Sequence, residues 1–201
     1  MYNSPDVSPG ALVWIFRIVS TATRLPVISA PLFVALGVAG AGATLAGILW
    51  AALCLLLTSG LSTAYLGYLR RNVRLGDPVR LSQGGALRPV RVIAAQYLLA
   101  WAILTLLGVP FGLGSLMLVY AVLVTLLAIL APEEEISLHS AAVCGAAIAL
   151  AHAFGPWGLS AALLLPPLWW ARTATGRHTP REMATGVLAG TLTGLVVFLL
   201  T

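Results

Sequence analysis

Long stretches of this chain carry no charged side chain at all, among them residues 27–69, 92–132 and 183–201. A helix needs ~20 mostly apolar residues to cross the hydrocarbon core of a bilayer, and these runs match or exceed that length. A buried soluble core has no need of them. Of the 201 residues, 60% are apolar and 8% are charged, about a third of the ~25% charge usual in soluble domains. The sequence therefore predicts an all-α, polytopic transmembrane helical bundle of about six or seven spans. No internal repeat beyond generic hairpins, no low-complexity tail and no linker divides residues 1–201 into separate domains.

Residues 27–69 would reach ~64 Å as one helix, twice a bilayer, so they read as a helical hairpin turning at Gly37, Gly40 and Gly42. A second hairpin, 89–131, breaks at 108–114, where Pro110 removes a backbone donor and glycines loosen the chain. A third, 137–170, breaks around Gly155, Pro156 and Gly158, and residues 182–200 form a last span. In that span Gly186, Gly190 and Gly194 recur every four residues, which favours close helix packing. Segment 1–26 differs. Its first ten residues are polar, with Asp6, and no basic region precedes the apolar run 11–16, so no cleaved leader is expected. With Trp14, Phe16, Arg17 and Arg24, residues 11–22 read either as an interfacial helix or as an ordinary lead into the bundle. Cys54 and Cys144 both lie in apolar runs and are expected to pack as small hydrophobes.

Every one of the eleven basic residues is an arginine, and all fall in segment 1–26, in a basic loop at 70–91, or in 172–181. If the hairpins hold, these regions share one side of the membrane. The positive-inside rule then places them in the cytoplasm with Glu133 to Glu135, and Thr201 outside, in a multi-pass protein of the plasma membrane. The net charge of +5 is accounted for by topology and lipid headgroups. No basic stretch interleaved with aromatics suggests nucleic acid, so membrane lipids are the expected partners.

Two of the three histidines, His139 and His178, lie near helix starts on the charged face. One helix climbs from His139 for about 15 residues and another returns to Arg172, each ~23 Å, so His139, Arg172 and His178 meet at one membrane surface. Two imidazoles and a guanidinium suit phosphoryl transfer. One histidine attacks phosphorus, the other protonates the leaving oxygen, and the arginine neutralises equatorial charge. His152 is ~20 Å further along its helix and is expected at the far turn. Trp157, Trp169 and Trp170 sit near span ends and read as interface anchors.

The run Ser137, Leu138, His139, Ser140, then a hairpin, then Arg172, five residues, His178, three residues and Glu182 resembles two signatures of the type 2 phosphatidic acid phosphatase superfamily. The resemblance covers roughly the C-terminal third, region 132–201, and is most specific from Gly176 to Gly190. It implies a lipid-phosphate phosphatase in which His178 becomes a phosphohistidine, His139 is the general acid, and Arg172 and Ser137 hold phosphate. Glu182 stands where the family has an aspartate that orients the nucleophile. Neither metal nor other cofactor is implied, since cationic side chains neutralise the charge. Implied substrates are polyprenyl phosphates or diphosphates and glycerolipid phosphates.

The family's first signature, a lysine six residues before Arg-Pro, is present only in part. There is no lysine in the chain; Arg88 with Pro89 supplies the second half, and Arg80 the missing cation with one residue of altered spacing. Leu138 replaces a glycine and Ala171 a serine of the family pattern. These departures keep two other functions open: a catalytically silent lipid-phosphate binder or transporter, and a lipid phosphotransferase. Thr179, Pro180 and Glu182 also spell a helix-capping box, so Glu182 either caps the last helix, orients His178, or does both. Glu133 to Glu135, after Pro132, either oppose a helix dipole, pair with arginines or bind a divalent cation. Members of the family often act on the outer face of the plasma membrane, against the charge count.

Overall fold

The computed structural model describes residues 25–41, 44–72, 87–130, 136–174, 176 and 178–200. Segment 1–24, residues 73–86 with Arg80, and Glu133 to Glu135 lie outside the described residues, so the interfacial segment, most of the basic loop and the acidic run are not placed. All regular structure among the described residues is helical: α1 (Leu25–Ala41), α2 (Leu45–Leu55), α3 (Leu61–Asn72), α4 (Leu87–Leu106), α5 (Phe111–Leu130), α6 (Leu138–Phe154), α7 (Leu165–Ala174) and α8 (Pro180–Leu200). A π turn, Leu56–Gly60, joins α2 to α3, and a ten-residue 3₁₀ helix, Gly155–Leu164, joins α6 to α7.

Five stretches among the described residues are long and apolar enough to cross a membrane: Leu45–Leu69, Pro89–Leu106, Phe111–Leu130, Leu138–Ala174 and Pro180–Leu200, beside a shorter apolar helix, Ser29–Ala41. The second and third turns fall where glycine and proline predicted them, whereas Gly37 and Gly40, expected in the first turn, are helical because α1 runs on to Ala41 with Gly37 packed against Gly47, and Gly42 lies outside the described residues. Thr44 caps α2, its hydroxyl accepting from Gly47 N at 3.5 Å, and Gly108, with φ 81°, ends the α4 limb before Pro110. Gly155, with φ 69°, reverses the chain after α6. The returning limb packs so closely that a Cβ at Gly158 would enter the backbone of Leu150 and Ala151.

Within lipid, apolar surfaces gain little by meeting one another, so helices associate through tight packing and shared hydrogen bonds. Both are present. Phe33, Leu36, Leu104, Leu113, Leu116 and Met117 are buried together in the main core. Cys54 and Cys144 are buried free thiols, as expected of small apolar fillers. Trp50 and Trp101 also pack against this core, whereas Trp157 is 85% exposed at the far turn as an interface anchor should be. His152 lies exposed at that same end, its ring centroid 5.8 Å from Phe111 and 5.1 Å from Phe198.

Two features carry no periodic signal and escaped the sequence reading. The π turn frees backbone carbonyls, and Gln96 of α4 satisfies them, its Nε2 donating to Leu57 O at 2.7 Å and Thr58 O at 3.3 Å. Ser29 of α1 and Ser59 share a hydrogen bond of 3.1 Å beside it. The available signal was the presence of Ser, Thr and Gln inside otherwise apolar spans. The second feature is the 3₁₀ geometry of the return limb, longer than such helices usually run.

The glycine row of α8 lies against α6. A Cβ at Gly186 would meet Ser140 Oγ and the Ser137 carbonyl, and one at Gly190 would meet the Ala141 backbone. Gly190→Val should therefore force α6 and α8 apart at a cost of about 1–3 kcal/mol. Gly67→Ala, where nothing lies within 4 Å, should leave stability unchanged. Unfolding of both variants in detergent checks this, and equal stability would refute the packing role.

A candidate site where three helix ends meet

The beginnings of α6 and α8 and the end of α7 converge. Val143, Leu168 and Met183 form one buried cluster, and each marks the level of a candidate residue. His139 precedes Val143 by one turn, Arg172 follows Leu168 by one turn, and Glu182 adjoins Met183, all within ~6 Å along their helix axes. The expected return of the chain from His139 to Arg172 is thus realised, by a 3₁₀ and α limb rather than one continuous α-helix.

Backbone hydrogen bonds fasten the three ends together. Ser137 N donates to Glu182 O at 3.1 Å, joining the first turns of α6 and α8. Ser140 Oγ lies 3.0 Å from Ser137 O and 3.1 Å from Met183 O, holding its one proton between two carbonyls of different elements. Gly176, at φ 62°, adopts the left-handed conformation open to glycine and turns the chain out of α7. His178 N then donates to Arg172 O at 3.3 Å, so the two predicted residues are tied directly through the main chain.

Around His178 the side chains are ordered by one carboxylate. Glu182 Oε2 lies 2.7 Å from His178 Nδ1, and Glu182 Oε1 accepts from the Thr179 hydroxyl at 2.9 Å. That hydroxyl in turn accepts from Glu182 N at 3.3 Å, capping α8. Thr179 is therefore the N-cap expected from the sequence, and Glu182 completes the box, its carboxylate also accepting from the Thr179 backbone N–H. Its oxygens go to His178 and to the Thr179 hydroxyl, so capping and orientation are combined in one residue. An ionised carboxylate only accepts, so this geometry puts the imidazole proton on Nδ1 and leaves Nε2 with its lone pair. His178 and Glu182 side chains are 12% and 17% exposed, open enough to be reached and sheltered enough to hold their geometry.

Arg172, in the last turn of α7, is buried at 4% exposure, and His139 is half-buried in the first turn of α6. Arg172 is thus not the lipid-facing anchor that basic residues at span ends usually are. Ser137 is fully buried, makes no capping hydrogen bond, and its Oγ has no hydrogen-bond partner among the described residues. A buried hydroxyl left unsatisfied costs about 1–3 kcal/mol. Ala171, at the position of the family serine, is buried and offers no hydroxyl. Arg88 falls in the first turn of α4, with only its backbone described, and Arg80 lies outside the described residues, so neither is placed relative to the histidines.

No family model matches the chain, and no curated protein or solved structure matches it.

Thr179→Ala removes the cap of α8 and one partner of Glu182, and should destabilise the protein by about 1 kcal/mol. Thr179→Ser should preserve both contacts. A comparison of their unfolding midpoints decides whether the hydroxyl carries this corner.

Proposed function

We propose that this protein is a membrane-embedded hydrolase that removes phosphate from a lipid phosphate or diphosphate through a phosphohistidine at His178. The observation that carries the reading is the 2.7 Å contact between His178 Nδ1 and Glu182 Oε2. It aims a proton-free Nε2 away from the carboxylate, and a lone pair so held is a nucleophile. A carboxylate that fixes the tautomer of an imidazole also stabilises the cation as the ring reacts.

The reaction proceeds in two displacements. In the first, His178 Nε2 forms a bond to phosphorus while the bond from phosphorus to the lipid oxygen breaks. His139 donates a proton to that oxygen, which leaves as a lipid alcohol or monophosphate. In the second, His139 takes a proton from water, whose oxygen attacks phosphorus and breaks the phosphorus–nitrogen bond, releasing inorganic phosphate. Arg172 neutralises the equatorial oxygens, a role suited to a guanidinium already withdrawn from solvent. Ser137 supplies a hydroxyl whose buried donor has no other partner among the described residues. Arg88 and Arg80 of the basic loop are further phosphate ligands by the same resemblance. The likeness of 132–201 to the type 2 phosphatidic acid phosphatase superfamily supports the same roles.

One sequence observation favours a second reading. The chain has no lysine, and Leu138 stands in place of the family glycine, so a silent protein that binds or moves lipid phosphates shares all but the turnover. Phosphate release by the purified protein across lipid mono- and diphosphates separates the two. Release should fall by at least ~10²-fold in His178→Ala and in His139→Ala. Absence of release from every lipid by the unaltered protein would leave the binder standing. Glu182→Gln should lower kcat while leaving KM nearly unchanged, because it disturbs the nucleophile and not the phosphate ligands.

The bundle makes seven crossings in this reading, with the site on the cytoplasmic side of the plasma membrane. The buried thiols of Cys54 and Cys144 leave little background for labelling. In intact cells Ser82→Cys should resist an impermeant thiol reagent and Thr201→Cys should react, and a reactive position 82 would reverse the orientation.

A further inference from the structure

A row of neutral polar groups crosses the middle of the bundle, away from the histidines. Gln96 and Tyr97 are the tenth and eleventh of the 20 residues of α4, and Tyr120 is the tenth of the 20 in α5. Thr58 and Ser59 stand in the π turn, close to the centre of the apolar stretch Leu45–Leu69. Ser29, Thr58, Ser59, Tyr97 and Tyr120 are all buried. Polar side chains at this depth are costly unless they bind one another or a ligand, and they mark functional sites in membrane proteins.

Helix adhesion accounts for part of the row. The Thr58 hydroxyl donates to Cys54 O at 2.6 Å, the Gln96 amide donates to the Leu57 and Thr58 carbonyls, and Ser29 and Ser59 share a hydrogen bond. The Tyr97 hydroxyl lies among those of Thr58, Ser59 and Ser62. Tyr120 is left over. Its hydroxyl is buried and has no hydrogen-bond partner among the described residues. Yet its ring centroid is 6.0 Å from that of Phe33, one turn beyond Ser29 on α1, and it lies within electrostatic reach of Tyr97. An unsatisfied hydroxyl in this place is destabilising, and a phenylalanine would pack there without that cost.

The unspent chemistry of the row is that of an acceptor. The N–H groups of Gln96 and the proton of Thr58 go to carbonyls, whereas each hydroxyl oxygen keeps two lone pairs. Lone pairs therefore outnumber protons, and no side-chain N–H group among these residues is left to receive an anion. The row contains no carboxylate or imidazole, the ligands that divalent and transition metals take. Neutral oxygens suit a single positive charge. Ser29 Oγ and Ser59 Oγ are 3.1 Å apart, a spacing that neighbouring oxygens adopt around a hard cation held at ~2.4 Å. Coupling-ion sites of membrane transporters lie near the bilayer midplane beside helices that depart from α geometry, and the π turn is such a departure.

We infer that the oxygens of Ser29, Ser59, Tyr97 and Tyr120, beside the π turn, form a binding site for a monovalent cation of sodium's size. The bound cation ties α1, α4 and α5 to the middle of the α2–α3 span and supplies the partner that Tyr120 lacks. The site does not rest on the hydrolase reading.

The test is the thermal unfolding midpoint of the full-length protein in detergent, with choline chloride replaced by sodium or potassium chloride at constant ionic strength. Sodium at about ten times its half-saturating concentration should raise the midpoint by about 3–6 °C, and potassium should raise it less. Tyr120→Phe keeps the ring and sheds the unpartnered hydroxyl. It should be at least as stable as the unaltered protein in choline, and should need about tenfold more sodium for the same shift. Ser59→Ala should weaken the sodium response in the same way. His178→Ala should respond to sodium as the unaltered protein does, whether or not lipid phosphate is hydrolysed. Binding of radioactive sodium to the unaltered protein, displaced by unlabelled sodium and not by choline, gives the same decision without a variant. Equal midpoints in the three salts would overturn the inference and leave the row as helix adhesion alone. A loss of stability by Tyr120→Phe in choline, with an unchanged sodium response, would remove Tyr120 from the site, and equal stabilisation by potassium would overturn the assigned size.

Discussion

The candidate site depends on how closely α6 and α8 can approach. In a bilayer there is no water to satisfy a stray amide or carbonyl, and hydrocarbon gives helices little reason to adhere. Glycines at 186 and 190 solve both problems together, because only a bare Cα lets the α8 backbone come within reach of Ser137, Ser140 and Ala141. Once the backbones touch, the Ser137 amide finds the Glu182 carbonyl and the Ser140 hydroxyl finds that of Met183. Residues that bear no chemistry thereby set the separation between the helix carrying His139 and the helix started by His178 and Glu182.

Rigidity at this corner is built mostly from main-chain contacts, which explains how it tolerates unusual side chains. Arg172 and His178 are linked through carbonyl and amide, so their spacing does not depend on the side chain of the neighbouring Ala171. Leu138 sits at the first helical position of α6, where its backbone needs none of glycine's freedom. The departures from the resembled family therefore alter what lines the pocket more than how the elements are held.

What was legible in the sequence follows from the same physics. Charge-free runs marked the apolar helices, because a bilayer prohibits exposed polar groups, and glycine and proline located the second and third reversals, whereas Gly37 and Gly40 proved to be helical contact points before the first. The four-residue glycine spacing predicted a packing seam, and the seam is there. The Thr179 and Glu182 pair was visible as a cap and Glu182 closes the box, but its further contact with the His178 imidazole depends on a rotamer and a turn that no spacing encodes. The π turn was hidden for a different reason: an extra residue in a uniformly apolar helix leaves no mark on a pattern with no polar side to interrupt. The depth of Arg172 was equally hidden, since an arginine at a span end has the same neighbours in sequence whether it snorkels outward or is enclosed. Trp169 illustrates the limit, for it packs on the Val143 cluster where span-end position alone suggested an interface anchor.

The π turn at Leu56–Gly60 has a bearing on the rest of the helix that contains it. A residue accommodated there without extending the helix by a full α step puts α3 out of phase with α2 by ~100°, the angle of one residue. Residues 45–72 are therefore two screws of the same pitch cut from different starting points, and Gln96 is the pin between them. The azimuth at which the chain leaves the bundle toward the basic loop is decided at mid-helix, by an amide side chain on a neighbouring span. Loss of that pin would let the turn relax to α pitch and rotate the whole stem of the loop, so the direction in which Arg71 points is a property of the bundle interior as much as of its surface.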